Sequence, residues 1–111
     1  MKKVKNLWPL FLSLTVLVFL VVLIFSQPKV ILFYGNTCPH CEKVDEYLKE
    51  NPSKIKYRHL EVYDNQQNAV LMSTKAKACG MDDKNIGVPF LYDGENCLIG
   101  EPDITSWFSN R

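Results

Sequence analysis

The sequence predicts an α/β domain, a four-stranded mixed sheet flanked by three helices, preceded by one N-terminal transmembrane helix. Three observations predict it. Leu7 to Phe25 holds no charged side chain over 19 residues. From Val30 onward, short β-branched and aromatic runs alternate with segments whose apolar residues recur every three or four positions, the signatures of strand and helix. Asp93-Gly94-Glu95-Asn96 then separates two apolar runs with hairpin-turn chemistry.

The chain's 111 residues are 47% hydrophobic and carry a net charge of +1, averages that hide a segregation. All 12 acidic residues follow Cys41, and the first 26 residues carry only Lys2, Lys3 and Lys5. The remaining 85 residues hold 10 basic and 12 acidic side chains. The chain is too short for two folded domains and too apolar to be disordered. The near-neutral part beyond residue 26 has no basic stripe along its sequence, which argues against a nucleic-acid partner.

Leu7 to Phe25, at about 1.5 Å rise per residue, just crosses a hydrocarbon core of roughly 30 Å. Pro9 falls in its first turn, where a missing N–H costs little. Trp8 stands where an interfacial aromatic anchor would. The run exceeds the roughly 7–15 apolar residues of a signal peptide, and Phe25-Ser26-Gln27-Pro28 lacks a small-x-small cleavage pattern. Residues 1–26 therefore read as a retained anchor, 27–29 as a linker and 30–111 as the working domain. Cleavage would instead release a secreted domain. Three lysines before the run and only Lys29 soon after it put the N-terminus in the cytoplasm and the domain outside. Disulfide chemistry is permitted there.

Val30 to Tyr34 is a continuous apolar run, as in a central strand buried on both faces. Pro39 to about Asn51 reads as a helix with Cys41, Val44 and Leu48 on one face, ended by Asn51-Pro52. Ile55 to Tyr63 is a second strand. Asn65 to Cys79 is a second helix with Ala69, Met72, Ala76 and Cys79 as its stripe, closed by Gly80. Val88 to Tyr92 and Cys97 to Ile99 form the hairpin. Asp103 to Ser109 is the last helix, with Ile104, Trp107 and Phe108 inward. The first strand–helix–strand unit should be parallel and right-handed, and the hairpin antiparallel.

Cys38-Pro39-His40-Cys41 lies at the junction of the first strand and its helix. A helix N-terminus stabilises anions, and a thiolate is one. Cys38 is thus expected to ionise below the free thiol value of about 8.5. His40 could add positive charge or a donor. The two-residue spacing lets Cys41, one turn into the helix and the more buried of the pair, attack a mixed disulfide held on Cys38. The same thiols could form half of a metal site, with Cys79, Cys97, His40 or His59 as further ligands. No second closely spaced pair exists in the chain. Pro89, near the start of a predicted central strand, forfeits a ladder hydrogen bond, so Gly87-Val88-Pro89 suggests a special turn or a cis bond.

Gly35-Asn36-Thr37-Cys38-Pro39-His40-Cys41, with Val88-Pro89 farther on, resembles the thioredoxin superfamily over nearly all of residues 30–110. The element order is similar to its glutaredoxin branch, and Ile99-Gly100-Glu101-Pro102-Asp103 partly matches the closing glycine-then-aspartate segment of glutaredoxins. The Pro-His pair looks instead like that of the DsbA oxidants, whose helical insertion this chain has no room for. The resemblance implies a thioredoxin-like fold, Cys38 as nucleophile and Cys41 as resolving thiol, with Pro39 and His40 between them. Pro89 would be the cis-proline beside them. A substrate surface of Thr37, Gly87, Val88 and Pro89 would pair with an extended segment through Val88. It implies no metal, and no cofactor beyond the redox-active Cys38–Cys41 disulfide. Partners would be cysteine-containing proteins and a membrane or extracytoplasmic redox protein that recycles the dithiol.

The chain departs from the glutaredoxin pattern at the glutathione site. Gly35 stands where a lysine is frequent, and Gly100-Glu101 and Asp103-Ile104 replace a glycine pair and an aspartate pair. The buried acid of thioredoxins has no counterpart in the first strand, leaving Glu42 as its substitute. Cys79 and Cys97 remain open between a structural disulfide, two buried free thiols and a redox relay. His59 reads as a surface or partly packed side chain, Tyr34, Trp107 and Phe108 as packing residues, and Asp82-Asp83-Lys84-Asn85 as a solvated loop. The leading expectation is a membrane-tethered extracytoplasmic thiol–disulfide oxidoreductase, tilted towards oxidation or isomerisation. A metal-binding or metallochaperone module and a glutathione-dependent reductase are the alternatives.

Overall fold

The computed structural model describes residues 6–111; Lys2, Lys3 and Lys5, on which the expected orientation rests, lie outside the described residues. The elements run α1 (Trp8–Phe25), β1 (Val30–Tyr34), α2 (Pro39–Glu50), β2 (Tyr57–Glu61), α3 (Gln66–Ala78), β3 (Phe90–Tyr92), β4 (Cys97–Ile99) and α4 (Glu101–Ser109). Every side chain of α1 is exposed, and the helix is long and apolar enough to cross a membrane.

The sheet order is β2-β1-β3-β4. β1 pairs parallel with β2 and antiparallel with β3, and β3 pairs antiparallel with β4. The continuous apolar run of β1 follows from this central place. Val30 and Leu32 meet Val44, Leu48, Leu91, Ile104 and Phe108 under α2 and α4. Ile31 and Phe33 meet Val62, Met72, Ala76 and Phe90 under α3. One strand thus supplies both cores, and its period-two alternation is hidden because neither face is wet.

Three elements differ from the sequence expectation by two residues at an end, each for a local reason. β2 is shorter than 55–63. At its start, the Ile55 N–H donates to the Ser53 hydroxyl at 3.0 Å and that hydroxyl donates back to the Ile55 carbonyl at 2.8 Å, a turn that keeps Ile55 off the ladder. At its end, the N–H groups of Tyr63 and Asp64 go to the Glu61 carboxylate. β3 begins at Phe90 and not Val88, because Pro89 has no N–H to offer the ladder; the Val88–Pro89 peptide bond is cis. α4 begins at Glu101, two residues early. Gly100, at φ +97°, turns the chain into the helix, and Pro102 is tolerated in a first turn whose N–H groups have no intrahelical partner. Phe108 is buried there, and Trp107 only half so.

The Cys79 and Cys97 sulfurs are bonded to each other, with Cα atoms 6.1 Å apart. The link ties the C-terminal end of α3 to the start of β4, beside the hairpin. A bridge closing a sequence separation of 18 contributes about 3 kcal/mol in the chain-entropy account.

Candidate functional site

β1 carries the chain to Tyr34 at one end of the sheet, and the loop from Gly35 to Thr37 leads into α2. Cys38 is the N-cap of α2, with extended backbone. Its Sγ accepts the Cys41 N–H at 3.2 Å, a capping role usually taken by Ser, Thr, Asp or Asn. Its own N–H donates to the Gly35 carbonyl at 3.2 Å. Pro39 follows in the first helical turn, where its fixed φ suits the helix.

The Cys38 and Cys41 sulfurs are bonded, with Cα atoms 5.2 Å apart. Both residues are buried, Cys38 at 5% and Cys41 at 2% exposure, so the expected contrast between them is small. Cys38 is covered from the β3 side: its Sγ lies 3.7 Å from the Val88 carbonyl oxygen. Pro89 is fully buried behind it, and its carbonyl accepts the Gly100 N–H at 3.0 Å. Thr37 and Gly87 are exposed and Val88 is half-buried.

His40 sits differently from the sequence expectation. It is exposed, and its Nδ1 lies 3.8 Å from a Glu101 carboxylate oxygen at the start of α4, not against either sulfur. The cause is helical phase. Residue 40 points outward when residue 41 points into the core, and α4 begins alongside. Glu42 also faces solvent, so it is no buried proton acceptor. His59 lies apart from the site, stacked on Tyr34 at 4.0 Å with Nε2 3.3 Å from Asp45. Burial pushes its pKa below the usual 6.5, and the Asp45 carboxylate pulls it partly back. In the 82–85 loop, Asp82 accepts from the Lys84 N–H and the Asn85 side chain, and Asp83 accepts from the Ser73 hydroxyl.

Glu61 is a residue the sequence did not single out. Its carboxylate accepts the N–H groups of Asn36 at 3.0 Å, Tyr63 at 2.8 Å and Asp64 at 2.7 Å. The Asn36 side chain donates in turn to Asp64. The loop before Cys38 is thereby fastened to the loop after β2. Gly35 is buried beneath the Tyr63 ring, and a Cβ at that position would overlap it. Partial desolvation raises the Glu61 pKa, but the backbone N–H donors of Asp64, Tyr63, Asn36 and Val62 together outweigh it and hold the carboxyl below its ordinary 4.5. A carboxyl whose folded pKa is depressed contributes stability that is complete above its unfolded pKa and lost as pH falls through the folded one. Below about pH 4.5, stability should therefore fall more steeply with acid in the parent chain than in Glu61→Gln. Melting temperatures measured across that range check it, and parallel curves would remove Glu61 from the account.

The sheet order, the cis-proline turn and the helix-capping Cys38 together make a thioredoxin-like fold of the glutaredoxin type. Among solved structures, the chain is similar to glutaredoxin C1 from Populus tremula x tremuloides in its holo form, with 21% identity and a TM-score of 0.53 over 78% of each chain. It is also similar to a glutaredoxin from Archaeoglobus fulgidus, with 18% identity and a TM-score of 0.51 over 73% of this chain and 86% of that one. No protein-family model and no curated protein matches the sequence.

Proposed function

We propose that the chain is a membrane-tethered, extracytoplasmic thiol–disulfide oxidoreductase acting on cysteine-containing proteins through Cys38 and Cys41. The observation that carries the reading is the bonded Cys38–Cys41 pair at the N-terminus of α2, with the Cys41 N–H aimed at the Cys38 sulfur. The donor and the helix dipole both favour negative charge on Cys38, which makes it the better leaving group and, once reduced, the thiolate nucleophile. In the oxidising direction a substrate thiolate attacks Cys38 Sγ and Cys41 departs as thiolate. A second substrate thiol then attacks its own sulfur in the mixed disulfide, and Cys38 leaves. The substrate loses two electrons and the pair gains them, so the disulfide itself is the redox group. The Val88 backbone beside Cys38 offers an extended substrate segment a pairing edge, with Thr37, Gly87 and Pro89 around it.

The membrane part of the reading rests on α1, whose exposed apolar surface has no cover within the described residues. The domain side follows from Lys2, Lys3 and Lys5, and a membrane or extracytoplasmic redox protein would recycle the pair. Among the described residues, no third His, Cys, Asp or Glu joins the two sulfurs in a metal-binding group. Direction is tested by the reduction potential of the full chain. Stabilising the Cys38 thiolate raises it, so the expected value lies nearer to about −120 mV than to about −270 mV. In the same reduced sample Cys38 should be alkylated well below pH 8. A potential at the lower value would reassign the chain to reduction, and tight stoichiometric metal binding without exchange would replace the reading.

A further inference from the structure

The direction of the strands sorts the charged residues into two ends. β1 starts at the linker and runs away from it, so Cys38 lies beyond the far end of a five-residue strand, about 17 Å on at the usual rise. α2, α3 and α4 all begin at the Cys38 end or are reached from it, and run back towards the linker. The linker end therefore collects Lys29, Lys54, Lys56, Arg58, Lys75 and Arg111, which are scattered along the sequence. Lys29 and Arg111 line one depression of this end, and Lys54 and Arg111 line its neighbour. Lys29, Arg58 and Lys75 line a third, of about 310 Å³, whose walls carry no carboxylate.

The carboxylates at this end are Glu50, Glu95 and Asp93, and Asp93 is occupied by the N–H groups of Glu95 and Asn96. The Cys38 end has the opposite balance, with Glu42, Glu61, Asp64 and Glu101 against Lys43, while Asp103 lies between the ends in a depression shared with Arg111. Ser26 to Lys29 separates α1 from β1 and reaches at most about 14 Å. The upper bound slightly exceeds the Debye length of about 10 Å in moderate salt, so a charged surface at the end of α1 acts most on the cations nearest the linker and loses its hold as salt rises.

We propose that the basic end is a docking surface for anionic phospholipid headgroups of the membrane that α1 crosses. Docking holds the domain upright, with the Cys38 end turned to the aqueous phase. The proposal rests on the tethered reading above. Charge complementarity selects the occupant. Lysines and arginines beside a membrane helix are attracted to an anionic leaflet and indifferent to a neutral one. The carboxylate-free depression lined by Lys29, Arg58 and Lys75 suits a phosphate group. Protein partners of Cys38 then arrive from the water side, and a recycling protein embedded in the bilayer must reach the site with an extramembrane segment.

The test is amide hydrogen exchange on the full chain in lipid nanodiscs, of phosphatidylcholine alone or mixed with phosphatidylglycerol. Exchange at residues 53–58 and 93–96 is expected to slow several-fold in the anionic discs only, and to recover in high salt. Lys29→Glu combined with Lys75→Glu, two of the three cations that line the carboxylate-free depression, should abolish the slowing, and Lys84→Glu, at an exposed position, should leave it unchanged. Equal exchange in both discs by a chain that co-elutes with them overturns the docking surface and leaves the tether standing. Slowing that survives the paired substitution also overturns it. A chain that co-elutes with neither disc overturns the tether and the docking together.

Discussion

Cys38→Ser is expected to bring disulfide exchange, followed as insulin reduction or as oxidation of a dithiol peptide, down to the uncatalysed background. A serine hydroxyl is not ionised near neutral pH, and its oxygen cannot form the mixed disulfide. Neither the nucleophile nor the leaving group therefore survives. The fold should tolerate the change. Cys38 acts as a helix cap through Sγ, and serine is among the preferred caps. Circular dichroism should accordingly show the parent helix content. Cys41→Ser separates the two roles. Cys38 keeps its thiol, so the first attack proceeds but resolution by Cys41 is lost, and a covalent adduct with substrate should accumulate on non-reducing gels. Full activity in Cys38→Ser would remove Cys38 from the proposed chemistry. Turnover by Cys41→Ser with glutathione would favour the glutathione-dependent alternative.

Phe33→Ala is expected to cost about 3–5 kcal/mol, the range for emptying a buried aromatic site. Phe33 is wholly buried and pairs across β1 and β3 with Phe90, ring centroids 5.8 Å apart and edge to face. Both rings sit in the core under α3, so the cavity would lie between the strand leading to Cys38 and the strand following Pro89. Small domains hold only about 5–15 kcal/mol in total. A domain of this size loses roughly 4–8 °C of melting temperature per kcal/mol. Thermal melts of the full chain in detergent would show the drop, and Phe33→Leu should recover most of it. A Phe33→Ala chain melting within a few degrees of the parent would mean that the α3 core is not as closely packed as the structure has it.

What the sequence made legible divides along the range of the interaction. β1 was readable because both of its faces are buried, and a run of Val30 to Tyr34 has few other homes. α2 was readable because its cap, Pro39 and the Cys41-Val44-Leu48 stripe are all local. Pro89 stood out because its lost N–H conflicts with a central strand. The fastening of the Asn36 loop by Glu61 was not readable. It depends on the parallel register that sets Tyr34 opposite Glu61, and hydrophobic periodicity says nothing about register. The meeting of His40 with Glu101 depends on where α4 begins, and Gly100 shifted that start by two residues. The basic end was unreadable for the same reason: six cations spread from Lys29 to Arg111 share one end only once three helices run back to the linker.

The second disulfide changes how the protein must be counted as a carrier of electrons. Cys38–Cys41 and Cys79–Cys97 lie at opposite ends of the sheet. Each bridge takes two electrons on reduction, so the fully oxidised domain is a four-electron vessel. Only the two at Cys38 and Cys41 pass through the proposed reaction. A thiol titration that runs to completion will therefore find twice the capacity that turnover uses, and the surplus is the clasp between α3 and β4.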